Sequence, residues 1–208
     1  MKYKKLLTVK LFLLFLFSFS SYMHAQVIKY ASDDNGVVYT NLETALQKPD
    51  MVYRLKLSGK PKCDSIPKEI LQLKNLRELT LRNCKLLIIN QDIALLSNLQ
   101  YLNLENNRLV HLPETLGQLT ELKSLIINRN MIETLPESIA NLTNLQIIDA
   151  WDNPLYKLPE SIVNLANTLK TIDLRQVPLK GKELETMEIL LPKTEILITN
   201  ICECKDGR

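Results

Sequence analysis

Close to its end the chain carries Cys202-Glu203-Cys204, two thiols one residue apart. Such a pair offers two soft metal ligands or a redox couple; a frayed tail carries the same residues with no chemistry. Two sulfurs alone do not make a zinc site, which takes four ligands in a structural centre and three in a catalytic one. Nucleophilic chemistry has even less to work with. Of the two histidines, His24 lies in an apolar leader and only His111 remains for the rest of the chain. A Ser/His/Asp or Cys/His set would have to use that imidazole, yet the cysteines sit far from it in sequence. His111 precedes Leu112-Pro113 and reads as a solvated loop residue. The five glycines are scattered, so no phosphate-cradling loop is present. Asp and Glu are plentiful without any distinguishing pair spacing. Asn141-Leu142-Thr143 fits a glycosylation sequon, but a regular Leu with polar neighbours produces the match by coincidence. These residues point away from an enzyme and imply no cofactor and no metal.

The front of the chain accounts for its apparent basicity. Residues 1–25 combine Lys2, Lys4, Lys5 and Lys10 with the apolar run Leu11 to Phe19 and small or polar residues up to Ala25. That is the pattern of a secretory signal peptide, cleaved after Ala25. Its apolar core is too short to favour a membrane anchor. The 208-residue chain has 26 basic and 23 acidic residues. Without the leader's four lysines, 22 basic groups face 23 acidic ones, a net charge of −1. Nucleic acid is therefore not an expected partner. All four Phe also lie in the leader, so Leu, Ile and Val must pack the core. No other run is long enough to span a bilayer, and the expected product is exported: secreted, periplasmic or associated with the cell surface.

Beyond the leader the chain repeats itself. LVHLPETLGQL from Leu109, IETLPESIANL from Ile132 and LYKLPESIVNL from Leu155 are near-copies at 23-residue intervals. Aligned on leucines, the units read LRELTLRNCKL from Leu76, LQYLNLENNRL from Leu99, LKSLIINRNMI from Leu122 and LQIIDAWDNPL from Leu145. Within each, Leu-x-Leu alternation predicts a short strand with its leucines inward. One unit cannot bury its apolar stripe alone, whereas stacked units join the stripes into one core. The strands then form a parallel sheet, curved because the opposite side of each coil is bulkier. Asn107, Asn130 and Asn153 fall where the chain turns inward, and a buried amide there must bond backbone groups of its own and the adjacent coil. Cys84 takes that place in the first full unit and Val177 in the unit from Leu169. In Leu112-Pro113-Glu114, Leu135-Pro136-Glu137 and Leu158-Pro159-Glu160, Pro is read as the first residue of a short helical turn on the back. Ile89-Asn90 replaces Leu-Pro in the unit from Leu76, which predicts a less regular back there.

The spacing L-x-x-L-x-L-x-x-N/C-x-L resembles the leucine-rich repeat, over roughly Val52 to Leu179. In detail the chain is similar to exported bacterial leucine-rich-repeat proteins with LPxxI-type units. The resemblance implies an α/β solenoid: a right-handed horseshoe with its parallel sheet on the concave face and short helical or 3-10 turns on the convex one. It also implies a non-enzymatic module that binds a protein or peptide along the concave sheet.

A solenoid needs covers at both ends. Thr40-Asn41-Leu42-Glu43 has capping-box spacing, and Thr40 to Lys48 is the expected N-terminal helix. Asn35-Gly36, within Val27 to Tyr39, suggests a small hairpin before it. Lys182 to Leu191 is the expected C-terminal helix, and Glu195 to Ile198 the last strand. The organisation is thus residues 1–25 leader, 26–50 N-terminal segment and cap, 51–180 repeats, and 181–208 C-terminal cap and tail. Distance along the stack leaves two disulfide pairings, Cys63–Cys84 and Cys202–Cys204. Two free buried thiols suit the first pair's positions equally well.

The outward positions form three columns. The first is Arg54, Glu78, Tyr101, Ser124, Ile147 and Thr171; the second Lys56, Thr80, Asn103, Ile126, Asp149 and Asp173; the third Ser58, Arg82, Glu105, Asn128, Trp151 and Arg175. Tyr101, Ile126, Ile147 and Trp151 are large and apolar for a solvated face, and Asp149, Asp152, Arg129 and Arg175 ring them. Such a group marks an expected interaction site. The alternatives are isoleucines that merely suit strands and a Trp151 that shields a local gap. Basic residues at Arg54, Lys56 and Arg82 against Asp149, Asp152 and Asp173 predict a charge gradient that orients a partner. The reading is a monomeric protein- or peptide-binding module. Its competitors are a self-associating adhesive element built on the Tyr101–Trp151 patch, and a thiol redox or metal-binding protein using Cys202 and Cys204.

Overall fold

The structure, a computed structural model, describes residues 36–59, 63–179 and 181–199. The leader, most of the expected hairpin and Cys202–Cys204 lie outside the described residues. Seven strands form one parallel sheet in sequence order: β1 (Arg54–Ser58), β2 (Glu78–Arg82), β3 (Tyr101–Asn103), β4 (Ser124–Ile126), β5 (Ile147–Asp149), β6 (Thr171–Asp173) and β7 (Glu195–Leu197). From β2 to β5 the register partners Glu78, Tyr101, Ser124 and Ile147 step by 23 residues. The steps into β2, β6 and β7 are 24. Sequential parallel order with one unit per strand is the topology of a solenoid. At the first edge Tyr39 adds a single parallel bridge to Leu55, so this end of the expected hairpin segment pairs with the sheet.

Alternation explains the strands. In β1 and β2, Leu55, Leu57, Leu79 and Leu81 are buried while the residues between them face out. Leu102, Leu125, Ile148 and Ile172 continue the first inner row, and Leu104, Ile127, Ala150 and Leu174 the second. The return path closes this core with 3-10 turns at Lys68–Gln72, Gln91–Leu95, Glu114–Gln118, Glu137–Asn141 and Glu160–Leu165. Each sends Ile70, Ile93, Leu116, Ile139 or Ile162 back inside.

Proline does not occupy the first helical position of these turns. Pro67, Pro113, Pro136 and Pro159 sit one residue earlier, with extended ψ of 132–149°. Each gives its carbonyl to the N–H three residues on, as Leu116 donates to Pro113 at 3.0 Å. What the turn needs is that carbonyl and a φ near −65°, which other residues also reach. Asn90 supplies both, at φ −71° and ψ 156°, and its carbonyl accepts from Ile93. The back of the unit from Leu76 is consequently as regular as the others.

The N-terminal cover is shorter than expected and capped by a different residue. Helix α1 spans Leu42–Leu46. Asn41, not Thr40, is its N-cap: Oδ1 accepts from the N–H of Glu43 at 2.7 Å and of Thr44 at 3.3 Å. Asn and Thr both cap helices, Asn the better of the two, so spacing alone does not separate the neighbours. At the other end α2 (Gly181–Leu190) buries Met187 against the last coil, and Leu191 and β7 follow it.

Two polar ladders lock coil to coil. Asn107 Oδ1 accepts from Cys84 and Leu86 N–H, and its Nδ2 donates to the Leu81 and Leu104 carbonyls, all within 2.8–3.1 Å. Asn130 repeats this with Leu109 N–H and the Leu104 and Ile127 carbonyls. Asn153 does so with Ile132 N–H and the Ile127 and Ala150 carbonyls. Cys84 holds the ladder position at the N-terminal end and Val177 at the other. The second ladder lies on the approach to the strands. Asn75, Asn98 and Asn144 donate to the Asp50, Lys74 and Thr120 carbonyls of the preceding coil. Glu121 occupies the equivalent place and has no amide to give. Glu121→Asn is expected to add the missing bond, to the Ser97 carbonyl. It should raise stability by about 0.5–1 kcal/mol in chemical denaturation; an unchanged midpoint would contradict the second ladder's contribution.

Candidate functional site

The strand ladder puts the three outward columns side by side. Arg54, Glu78, Tyr101, Ser124, Ile147 and Thr171 are successive register partners, as are Lys56, Thr80, Asn103, Ile126, Asp149 and Asp173. Beyond the strands the third column keeps step through backbone bonds. Asn83 N–H donates to Glu105, Asn106 to Asn128, Arg129 to Trp151, and Asp152 to Arg175.

Exposure departs from the sequence reading. Ile126 is 1% exposed, and Tyr101, Ile147 and Asp149 are 8% each. The middle of the face is laced sideways: Asn103 Nδ2 donates to the Tyr101 hydroxyl at 3.2 Å and Asn128 Nδ2 to Asp149 Oδ2 at 2.6 Å. Accessible surface is concentrated where the strands end. Trp151 and Arg175 are half-buried, and Arg129 and Asp152 are exposed. The Arg129 guanidinium lies over the Trp151 ring, 4.5 Å from its centroid. Arg129 adopts φ 54°, in the left-handed region shared at this turn by Asn83, Asn106, Asp152 and Gln176.

Three residues of the expected charge gradient, Arg54, Arg82 and Asp173, are paired within the sheet. Arg54 pairs with Glu78 at 3.2 Å and Arg82 with Glu105 at 3.0 Å. Arg175 Nε lies 2.9 Å from Asp173 Oδ1. Arg54–Glu78 and Arg82–Glu105 join neighbours of opposite charge on adjacent coils, 24 and 23 residues apart, whereas Arg175 and Asp173 share one coil, two residues apart.

Burial pushes the Tyr101 phenol up to about 12, against the lowering effect of its Asn103 hydrogen bond. The folded state therefore holds this proton more tightly than the unfolded chain, whose tyrosines titrate near 10. Stability from this group is complete below pH ~10 and is lost as pH rises toward 12. Phenolate absorbance should show one tyrosine ionising late, and Tyr101→Phe should remove that step. Full ionisation of all tyrosines near pH 10 in the folded protein would contradict the burial.

The reactive residues remain apart. Cys84 is buried. Its Sγ is turned toward the Leu57 and Arg82 carbonyls, at 3.6 and 3.5 Å. Cys63 is only half-buried rather than interior. Burial raises its thiol above the ordinary range and Asp64 adds to the effect, which suppresses the nucleophilic thiolate. His111 is exposed and lines a shallow cavity of about 430 Å³ with Glu114, Glu137 and Lys157; Trp151 is not among its lining residues. Among the described residues no cluster of three or more His, Cys, Asp or Glu could hold a metal ion. Among the same residues no helix is long and apolar enough to cross a membrane.

The sequence reading named Arg129 and Trp151 but missed their stacking. Arg129 sits one residue before Asn130 and Trp151 two before Asn153, ladder asparagines of adjacent coils, and that offset of 22 residues is the available signal.

Comparison with known proteins agrees with this architecture. Residues 74–132 and 97–155 match the family described as leucine rich repeat. A leucine-rich-repeat protein of Leptospira interrogans is 30% identical with a TM-score of 0.57; the match covers 78% of this chain and 54% of that one. Internalin C2 of Listeria monocytogenes is 25% identical with a TM-score of 0.59, over 78% of this chain and 67% of its own. The leucine-rich-repeat ectodomain of the Arabidopsis thaliana membrane receptor kinase GASSHO1/SCHENGEN3 is 27% identical with a TM-score of 0.57, over 70% of this chain. It was solved in complex with Casparian strip integrity factor 2. The chain spans about half the length of the Leptospira protein, at 54%, and 18% of the plant ectodomain. No protein of curated function matches the chain.

Proposed function

We propose that this leucine-rich-repeat solenoid is an exported, non-enzymatic binding protein of the bacterial LPxxI type that receives a protein or peptide on its concave sheet. Contact centres on Trp151 and Arg129, with Asp152 and Arg175 around them and Tyr101, Ile126, Ile147 and Asp149 as the packed floor. One observation carries the reading: the chain's single tryptophan stands half-buried on the outward side of the sheet, under an exposed guanidinium. Large aromatic and Arg side chains in such a setting are the residue types that dominate binding energy. The receptor ectodomain it resembles was solved with a bound factor, which supports a macromolecular ligand for this shape. Export is supported by the pattern of residues 1–25. Fold similarity alone does not assign a function, so the residues must be tested. With the mature protein as bait in an extracellular or periplasmic extract of its source, a partner is expected to be retained. Trp151→Ala bait should lose it by at least about tenfold. Equal retention by both baits would sink the site.

A further inference from the structure

Four arginines flank the outward face: Arg54, Arg82, Arg129 and Arg175. Three are paired with Glu78, Glu105 and Asp173. Among the described residues Arg129 forms no ion pair; its guanidinium lies on the Trp151 ring and is exposed. Its backbone makes the choice of residue informative. The equivalent turn position elsewhere holds Asn83, Asn106, Asp152 and Gln176, all with φ of 56–57°. Asn and Asp tolerate the left-handed region through local hydrogen bonding. Arg129, like Gln176 and Lys85, adopts this region without that compensation, and it brings a planar five-donor fork. Stacking fixes the plane of that fork, so little rotamer freedom remains to be lost when a ligand arrives. Lys85 and Arg108, one residue past the ladder position in the two preceding coils, are exposed and add positive charge to those turns. Asp152, at the same turn position of the next coil, and Glu133, four residues past Arg129, are exposed as well.

We infer that Arg129, held flat on Trp151, is a receptor for the side-chain carboxylate of an acidic partner segment, which runs across these turns toward Arg108 and Lys85. A carboxylate takes the fork with two parallel N–H···O bonds, and the aliphatic part of the same side chain lies against the exposed part of the indole. Charge complementarity favours this occupant over a basic segment: the Arg129 guanidinium and the two cationic residues of the preceding coils would repel one. The inference rests on the outward-face reading above and names the chemistry of its partner.

The test uses three probes on the full mature protein, deca-glutamate, deca-glutamine and deca-lysine peptides, read by Trp151 emission at low salt. Deca-glutamate is expected to bind and to weaken as salt rises. Arg129→Asn, a residue the backbone accepts at this φ, should melt like wild type and bind deca-glutamate about tenfold more weakly. Arg129→Lys, which keeps the charge without the fork, should fall between. Failure of deca-glutamate to bind, equal binding of deca-glutamine, preference for deca-lysine, or undiminished binding by Arg129→Asn would each overturn the inference. Capture of a partner that depends on Trp151 but not on Arg129 would overturn it too, while leaving the outward-face reading intact.

Discussion

Asn107→Ala is expected to lower the unfolding free energy by about 3–5 kcal/mol, measured by chemical denaturation followed by circular dichroism. The magnitude follows from what one amide does. It takes two N–H groups, of Cys84 and Leu86, and serves two carbonyls, Leu81 and Leu104. Asn107 is 8% exposed, so water cannot replace those partners without opening the stack. Each buried group left without a partner costs about 1–3 kcal/mol; relaxation should keep the sum below the maximum. Alanine has the volume to sit there, so the loss would report hydrogen bonding rather than a clash. Asn107→Asp separates the two halves of the function. A carboxylate still accepts from Cys84 and Leu86 but gives nothing to the carbonyls and adds a buried charge, so it too should destabilise. A melt within about 0.5 kcal/mol of wild type for the alanine variant would mean that packing alone holds the coils together.

Gly117→Ala should also destabilise, by about 1–3 kcal/mol, through overpacking. A Cβ on Gly117 would lie 2.4 Å from the Ser138 carbonyl oxygen and 2.7 Å from its Cβ, on the next coil. Backbone carbonyls of adjacent 3-10 turns cannot yield as a flexible side chain can. The sign decides the matter. Gly117 is not in the left-handed region, so without the clash Ala would stabilise by about 0.4–1 kcal/mol through the unfolded chain. The neighbouring coil holds Ala140 at the same place, 7% exposed. Its replacement by Gly should cost no more than about 1 kcal/mol. A stabilised Gly117→Ala protein would show that the turns on the back are spaced more widely than described.

How much of this was written in the chain depends on the scale of the question. Register was legible: a 23-residue interval places Glu78, Tyr101, Ser124 and Ile147 in one row, and the strands pair in those rows. The ladder position was legible because a polar residue recurs among leucines, as at Asn107, Asn130 and Asn153. Finer matters were not. Thr40 and Asn41 have the same capping chemistry, and only the path of the chain selects Asn41. Pro113 and its equivalents were placed one residue too far into their turns, since a fixed φ suits both positions and only ψ separates them.

At the site, residue identity and row were readable, but exposure was not. Ile126 points outward by alternation and is nonetheless 1% exposed, because lateral contacts across three columns are invisible to a period-two pattern. The opposite error arose with charge. Arg54 and Arg82 looked like free positive groups until the register put Glu78 and Glu105 beside them. Arg129 was named as one of a ring of charges, whereas its left-handed turn and its place over Trp151 depend on how adjacent coils meet. Such pairings occur between residues whose separation is set by the turn and not by the strand.

Trp151 emission, measured in the mature protein with and without the captured partner, decides whether the outward face is the binding surface. A half-buried indole that acrylamide quenches is expected in the free protein. Partner binding should shift the emission and protect it from quencher, and Arg129→Asn should alter the free spectrum by uncovering the ring. Emission that is blue and unquenched in a free monomer, or that the bound partner leaves unchanged in both wavelength and accessibility, would contradict a binding role for that face.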